Sequence, residues 1–405
     1  MKRLFFINRY FWPDHSATSQ ILSQLAFALA KTGREVHVVT SQQLYDDPTA
    51  RLTAQEIIRG VVIHRTAGTR FGRTALLGRA IDYVSFYVAA RRLLLAMVDK
   101  GDILVPMTDP PLLSIVGMRV ARRRRARLVN WLQDIYPEVA AALNVPIIKG
   151  PIASLLSSVR NASLKAADTN VVVGERMAEK LRTLGVASDR IFVIPNWCDD
   201  EQITPVATND NPLRKRLQLE NKFVVGYSGN LGRAHEFETL LAAAERLKNN
   251  PHIVFLFIGS GYHTDALSRS AKARGLTDRF QFLPYQHNDV LKYSLSIPDV
   301  HWISLKPEVE GLIVPSKFYG IAAAGRPIIA VTAKDGEIAR LIKAEDCGVI
   351  IEPGNSTALA DAITHLSTDA EATAEMGRRA RAMLDAKFTR RHAFARWNNV
   401  LDQIE

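Results

Sequence analysis

The chain has 405 residues, which at about 100–200 residues per domain implies two or three domains, each long enough for a full hydrophobic core. Its composition, 47% apolar and 23% charged, excludes disordered and collagen-like chains. Fifty-two Lys and Arg against 41 Asp and Glu leave a net charge of +11, which favours polyanionic partners: nucleic acid, phosphorylated small molecules or an anionic bilayer face.

In chain order, Met1-Lys-Arg precedes only four apolar residues and no cleavage site, so the start reads as a buried strand and not as a signal peptide. Strand-like runs then alternate with amphipathic helical segments, the pattern of parallel sheets joined by crossover helices. The first half gives strands at 4–7, 35–40, 103–105 and 128–131 and helices at 20–31 and 80–100. The apolar stretches 83–98 and 103–118 are broken by Arg91-Arg92 and by Asp109, so no transmembrane helix is expected. Residues 199–212 are polar, contain Pro and lack periodicity, as a domain linker does. The second half gives strands at 223–227, 254–258, 280–283, 300–304 and 328–331, with helices at 237–248, 264–274 and 357–366. The expected fold is α/β with two doubly wound units, 1–205 and 206–387, and a last helix over about 388–405 packing back on the first. Cys198 and Cys347 belong to no CxxC or Cys/His cluster, so no zinc site or disulfide framework is indicated, and a reducing cytoplasm fits.

The sharpest local signal is Val224-Val-Gly-Tyr-Ser-Gly-Asn-Leu-Gly-Arg-Ala-His-Glu-Phe-Glu-Thr-Leu-Leu241, a strand, a glycine-rich turn and a helix. Gly229, Asn230 and Gly232 let the backbone approach a ligand, and a helix start offers N–H groups and a positive dipole end to phosphate. Arg233 and His235 add cationic potential. An ordinary βα turn looks the same, since a lone glycine-rich turn is a weak signal. The layout recurs at Gly259-Ser-Gly261, and Leu283-Pro284-Tyr285 ends a third strand with a ring able to stack on a base. Tyr285 alone reads equally as a packing aromatic. Ligands collect at strand carboxyl ends in open α/β sheets, where all three turns are expected.

Further on, Glu308 and Glu310 precede Gly311, and Pro315-Ser316 reads as a helix start, with Ser316 as N-cap or first-turn residue and Lys317 beside it. A lysine there is unfavourable by a few tenths of a kcal/mol, which points to an anion; the plain alternative is a solvated side chain. In the first half, Asp14, His15, Ser16 and Thr18 follow the first strand, and Gln133 and Asp134 follow the strand at 128–131. Asp134 is suited to orient or deprotonate a hydroxyl, or simply to cap a helix.

In order and spacing these pieces resemble the family 4 retaining glycosyltransferases, of the kind that builds bacterial colanic acid, capsule and O-antigen. The resemblance covers nearly the whole chain, from Tyr10-Phe-Trp-Pro13 and 28–40 through Gln133-Asp-Ile-Tyr-Pro-Glu138 and Ile194-Pro-Asn-Trp-Cys-Asp199. It continues in Gly226-Tyr-Ser-Gly-Asn-Leu231, Ile258-Gly-Ser-Gly261, Pro315-Ser-Lys-Phe-Tyr-Gly320 and Ala324-Gly-Arg-Pro327. It implies the GT-B architecture, two facing Rossmann-like domains with a cleft between them. The implied activity is transfer of a sugar from a UDP- or GDP-sugar to an acceptor hydroxyl, with retention and without a required metal.

Carried onto this sequence, the resemblance gives Asp134, Arg233, Lys317, Glu308 and Glu310 as catalytic residues. It gives Ser16, Ala17, Gly229, Asn230, Gly232, Gly259, Gly261, Leu283, Pro284, Tyr285, Gly311 and Ser316 to the nucleotide-sugar. The base is expected near 283–286, the sugar near 308–311, and the loop 14–18 over the diphosphate. The chain also departs from the family pattern. The second glutamate of the family's E-x7-E arrangement reads Gly320; the arginine and lysine of the glycine turn read Asn230 and His235, with Arg233 as a shifted substitute; the usual His before Asp134 is Gln133; and the N-terminal Gly-Gly is Ser16-Ala17.

Six arginines lie within 119–127, in the domain expected to bind acceptor. If the acceptor is a saccharide carried on polyprenyl diphosphate, they suit docking on the inner-membrane surface from the cytoplasm, with Tyr83, Phe86 and Tyr87 as a nearby apolar contact. Core packing and a solvated basic helix end are the plain alternatives. No helix-turn-helix, RRM, KH or zinc signature supports nucleic-acid binding. A sugar-nucleotide epimerase and a non-catalytic basic binding protein are the alternative functions. A glycosidase-type pair at Glu308 and Glu310 finds no support in their close spacing.

Overall fold

The computed structural model describes residues 2–47, 49–71, 76–145 and 150–405. The chain divides into two compact units, Met1–Pro195 with Ala393–Glu405, and Asn196–His392.

In chain order the first unit holds β1 (Leu4–Ile7), α1 (Ala17–Lys31), β2 (Val36–Ser41), β3 (Gln55–Ile58), β4 (Val61–Thr66), α2 (Leu76–Met97) and β5 (Ile103–Pro106). It continues with α3 (Leu113–Arg124), β6 (Arg127–Leu132), α4 (Glu138–Ala142), α5 (Gly150–Ala166), β7 (Thr169–Val172), α6 (Glu175–Thr183) and β8 (Ile191–Val193). The strands form one sheet in the order β3-β4-β2-β1-β5-β6-β7-β8, parallel except for the β3–β4 hairpin. That hairpin escapes the sequence reading because its turn is Arg59-Gly60, both at positive φ, in place of the usual Asn-Gly.

A parallel sheet is covered on both faces, which is why β1 is apolar at every position. Phe5 and Ile7 pack with Phe86, Leu94, Leu104 and Leu113 on one face. On the other, the Phe6 ring meets Trp131 at 6.4 Å and Trp397 at 6.5 Å.

The second unit holds α7 (Pro212–Arg216), β9 (Phe223–Ser228), α8 (Glu238–Arg246), β10 (Ile253–Ile258), α9 (Thr264–Ala273), β11 (Phe280–Leu283), α10 (Leu291–Leu295) and β12 (Val300–Ser304). After these come α11 (Lys317–Ala323), β13 (Ile328–Val331), α12 (Glu337–Glu345), β14 (Gly348–Ile351), α13 (Ser356–Thr368) and α14 (Ala370–Lys387). The last helix, α15 (Arg390–Ile404), starts here and supplies Trp397 to the first unit. All six strands are parallel, in the order β11-β10-β9-β12-β13-β14. The sequence runs outward from β9 in both directions, so the topological switch point lies between β9 and β12. In the first unit the same reasoning puts it between β1 and β5.

The expected linker is more ordered than its composition suggests. Asn211 caps α7 through Leu213 N–H (3.0 Å) and donates to the Tyr293 carbonyl (2.8 Å). Arg214 is buried and donates to the carbonyls of Ile297, Leu219 and Lys222 while pairing with Asp299 at 3.1 Å. A polar run reads as a linker in sequence, but here its polar groups tie the entry of the second unit to β9 and β12.

Candidate functional site

In the second unit the site grows from the carboxyl ends of four adjacent strands. The buried β9 is followed by Gly229 at φ +127°, and β10 by Gly259 at φ +122°. These turns lie backbone on backbone: Gly229 N–H donates to Ile258 O (2.8 Å), Gly259 N–H to Leu283 O (2.8 Å) and Leu231 N–H to Ser260 O (2.9 Å). A methyl group on Gly259 would come within 2.4 Å of the Gly229 carbonyl, and one on Gly261 within 2.4 Å of Leu231 N. The glycines are therefore required both by torsion and by close approach.

Gly229 also makes room for Lys317, since a Cβ there would stand 2.5 Å from the lysine Cε. Lys317 is the first residue of α11, and its Nζ lies 5.4 Å from the Tyr227 ring centre. No carboxylate pairs with it among the described residues. Burial alone lowers its pKa from 10.5 to about 8. Ser316 has helical torsion angles and its hydroxyl makes no cap bond, so the expected side-chain cap is absent.

Arg233 is exposed, with its guanidinium stacked 4.0 Å over the Tyr262 ring. The turn between them is pinned by His235, whose Nδ1 faces the Ser304 carbonyl at 2.7 Å while Nε2 meets the Tyr227 hydroxyl at 3.2 Å. Tyr227 Oη lies 2.7 Å from the Asn230 carbonyl. Burial, with Lys317 nearby, lowers the His235 pKa to about 3, so the ring is neutral and structural. The sequence reading of His235 as a cation is corrected here: it sits inside the turn, where charge is penalised.

Tyr285, exposed after β11, reaches within 3.1 Å of where a Gly259 Cβ would be, and Leu283 and Pro284 lead into it. Gly232 has open space around it. Past β12, Glu308 is exposed and makes no bond or ion pair among the described residues. Glu310, before Gly311 at φ +72°, accepts Glu337 N–H (2.8 Å) at the start of α12 and the Thr332 hydroxyl (3.4 Å). The two glutamates therefore differ, one holding a helix and the other unengaged.

In the first unit, loops after β1, β5 and β6 hold the polar groups. Asp14 is buried and accepts Ser16 N–H at 2.7 Å. Ser16 sits at the N-cap position of α1 with an unpartnered, buried hydroxyl, and Ala17 follows, exposed. Asp134 follows β6 and borders a cavity of about 20 Å³ shared with Thr108, Asn130 and Arg160. Burial, then the Asp109 charge, raises its pKa to about 7. Sequence reasoning missed Tyr227, Tyr262 and Asp109. The available signals were an aromatic flanking each glycine turn, Tyr227 just before Gly229 and Tyr262 just after Gly261, and a polar strand end at the β1/β5 switch point.

Residues 17–197 match the model of the glycosyl transferase 4-like domain, and 209–383 that of glycosyl transferases group 1. WbjE of Pseudomonas aeruginosa, named as a glycosyltransferase, is 31% identical over 73% of this chain and 74% of its own. The chain belongs to this glycosyltransferase family. WcaI of Escherichia coli K12, named for colanic acid biosynthesis, is 31% identical over 62% of each chain, so the match spans less than two thirds of that relative. Among solved structures, Anabaena HepE with bound UDP superposes at TM-score 0.75 and 16% identity over 99% of this chain and 100% of its own. Sucrose-phosphate synthase from Thermosynechococcus elongatus does so at TM-score 0.79 and 18% identity, over 100% and 99%. At such identities these likenesses show the fold.

For this glycosyltransferase the departures noted in sequence are now concrete. Gly320 lies inside α11 with Leu295 Cδ1 3.7 Å from a would-be Cβ, and supplies no carboxylate. Gln133 N–H faces the Thr108 hydroxyl at 3.3 Å, and its side-chain Nε2 is buried without a partner. Among the described residues no group of three His, Cys, Asp or Glu is placed to hold a metal ion, and no helix is long and apolar enough to cross a membrane.

Proposed function

We propose that this glycosyltransferase transfers a sugar, with retention, from a UDP- or GDP-sugar to a hydroxyl of a saccharide or polyprenyl-diphosphate-linked acceptor in cell-surface polysaccharide synthesis. The observation that carries this is Lys317, a desolvated cation with no carboxylate partner among the described residues, held against a glycine turn at the switch point of the second unit. A buried charge is costly unless something pairs with it, and a diphosphate supplies that partner. HepE, a neighbour in fold, is described with UDP and with UDP-glucose, which supports the same donor class.

In this reading the diphosphate meets Lys317, Arg233 and the peptide N–H groups of 229–232, which take the charge developing on the leaving group without a divalent ion. The second-unit turns at 259–261 and 283–285 receive the nucleoside, and Glu308 and Gly311 the sugar. In the first unit, taken by itself, Ser16 and Ala17 offer the start of α1 to an anion, and Asp134 orients an acceptor hydroxyl. The leaving phosphate oxygen accepts the acceptor's proton on the face it departs from, so retention needs no separate side-chain base. Glu310 positions the loop by holding α12.

The test is thermal unfolding with UDP, GDP and ADP, each with and without EDTA. A ligand at about 100 times its Kd contributes about 2.7 kcal/mol, readable as a shift of several degrees. UDP or GDP stabilisation that survives EDTA is expected, followed by product of unchanged anomeric configuration by NMR. No stabilisation by any nucleotide, or inverted product, overturns the proposal.

A further inference from the structure

The helices α2, α3 and α5 of the first unit carry an outer face that the transfer chemistry does not use. α3 packs between the other two. All three are crossover helices of a parallel sheet, so they run in one direction, with their N-terminal ends toward the strand carboxyl ends. On α2, Leu77 (72% exposed), Ile81 (40%), Val84 (57%) and Val88 (44%) form one stripe at helical spacing. The stripe spans about 17 Å and continues on the same face into exposed Arg91 and Arg92. α5 repeats the order, with Ile152 and Leu155 exposed in its first turns and exposed Lys165 in its last. α3 ends in exposed Arg122, Arg123 and Arg124.

The three helices contain a single acid, Asp82, which is buried and accepts the Thr69 hydroxyl at 2.7 Å and Phe71 N–H at 3.1 Å. The outer faces of the three helices are therefore apolar at one end and cationic at the other, with no exposed acid on the helices; Asp99 and Asp168, just past α2 and α5, pair with Arg3 and Arg127. The α2 stripe is also a different face from the one expected: Phe86 is buried and Tyr83 and Tyr87 are partly buried, turned toward the unit's own core.

We propose that this face docks on an anionic lipid bilayer. The Leu77–Val88 stripe and the first turns of α5 enter the acyl boundary, while Arg91, Arg92 and the end of α3 lie on the phosphates. Helix faces that are apolar at one end and carry only cations at the other match the layering of an anionic leaflet, with hydrocarbon below and negative headgroups above. A second copy of the chain is a poorer match, because the same helices bring no exposed carboxylate to the arginines and the nearby Asp99 and Asp168 are already paired with Arg3 and Arg127. The inference rests on the polyprenyl-diphosphate-linked acceptor of the proposed function and uses residues of the first unit alone.

The test is flotation of the full chain with vesicles of phosphatidylcholine alone or with about one-third phosphatidylglycerol, at low and high salt. Binding is expected only to the anionic vesicles and is lost at high salt. Arg91→Gln/Arg92→Gln weakens it roughly fivefold per arginine. Ile81→Gln/Val84→Gln/Val88→Gln, surface changes to good helix formers, abolishes it. UDP stabilisation is measured on every variant and stays unchanged. Absence of binding to anionic vesicles, binding unaffected by both variants, or lipid-free dimerisation that the triple variant removes each overturns the docking proposal. Vesicle binding without any nucleotide stabilisation leaves the docking and refutes the donor assignment.

Discussion

In the proposed donor site, Lys317 gives a measurable proton balance. Its pKa of about 8 in the free protein reflects burial with no counter-charge, against 10.5 for an ordinary lysine. Arrival of a diphosphate supplies that charge and returns the group toward its ordinary value, so binding takes up the protons missing beforehand. The missing fraction is about one-tenth at pH 7 and about three-quarters at pH 8.5. Calorimetric titration with UDP in buffers of different ionisation enthalpy reads this number directly, and Lys317→Arg, always protonated, is expected to show no uptake at either pH. The drop from 10.5 to about 8 also corresponds to roughly 3 kcal/mol of strain in the resting fold. The sign follows from proton counting. Between about pH 8 and 10.5 the unfolded chain binds the proton that the folded one has lost, so this contribution raises stability with pH in that window and is fully unfavourable below it. Lys317→Met is therefore expected to raise the melting temperature at pH 7 by several degrees while removing the UDP response. Uptake that is flat with pH, or that persists in Lys317→Arg, or a melting temperature lowered by Lys317→Met, refutes the reasoning.

Four further outcomes are expected. The profile of kcat/KM against pH is bell-shaped, rising through about 7 as Asp134 ionises and falling through about 8 as Lys317 loses its proton; Asp134→Asn removes the rising limb and leaves UDP stabilisation intact. Gly259→Ala forces a methyl to 2.4 Å from a backbone carbonyl, at positive φ, and is expected to cost about 2 kcal/mol or more in thermal unfolding together with loss of UDP binding. Glu310→Gln weakens the hold on α12 and lowers stability by about 1 kcal/mol, whereas Glu308→Gln leaves the melting temperature unchanged and lowers turnover, a contrast seen by comparing calorimetry with initial rates. Arg214→Ala leaves Asp299 with only the Val224 N–H as a donor among the described residues and removes the donor from three carbonyls, and is expected to destabilise the second unit by about 3 kcal/mol in denaturant unfolding.

The parallel-sheet architecture was legible because strands buried on both faces are uninterrupted apolar runs, as in β1, β10 and β13. Short or mixed strands were not: β3 alternates exposed and half-buried residues, and β7 begins Thr169-Asn170, whose polar side chain is buried through a 2.9 Å bond from Asn130. The glycine turns and Lys317 were also readable, since torsion and helix-end charge restrict residue type locally. The division of labour between Glu308 and Glu310 was not, because it depends on Glu337, 27 residues later, which no local pattern links to Glu310. His235 failed for the same kind of reason. Its neutrality comes from Ser304 and Tyr227 closing around it, a tertiary fact.

Asp134 and Lys317 are alike in one thermodynamic respect. Each is moved by burial toward its neutral form, the acid up to about 7 and the base down to about 8, with no counter-ion among the described residues to offset the cost. For Asp134 the folded state binds the extra proton between about pH 4 and 7, so stability falls as pH rises through that window and the penalty is complete above it. Asp134→Asn is then expected to raise the melting temperature at about pH 8 and to leave it unchanged at about pH 4. A residue retained for structure behaves in the opposite way, because removing one partner of a buried pair leaves the other uncompensated. Two substitutions that each stabilise the resting protein while removing one limb of the pH profile would mark charges kept for what they meet: a diphosphate in one case, an acceptor hydroxyl in the other.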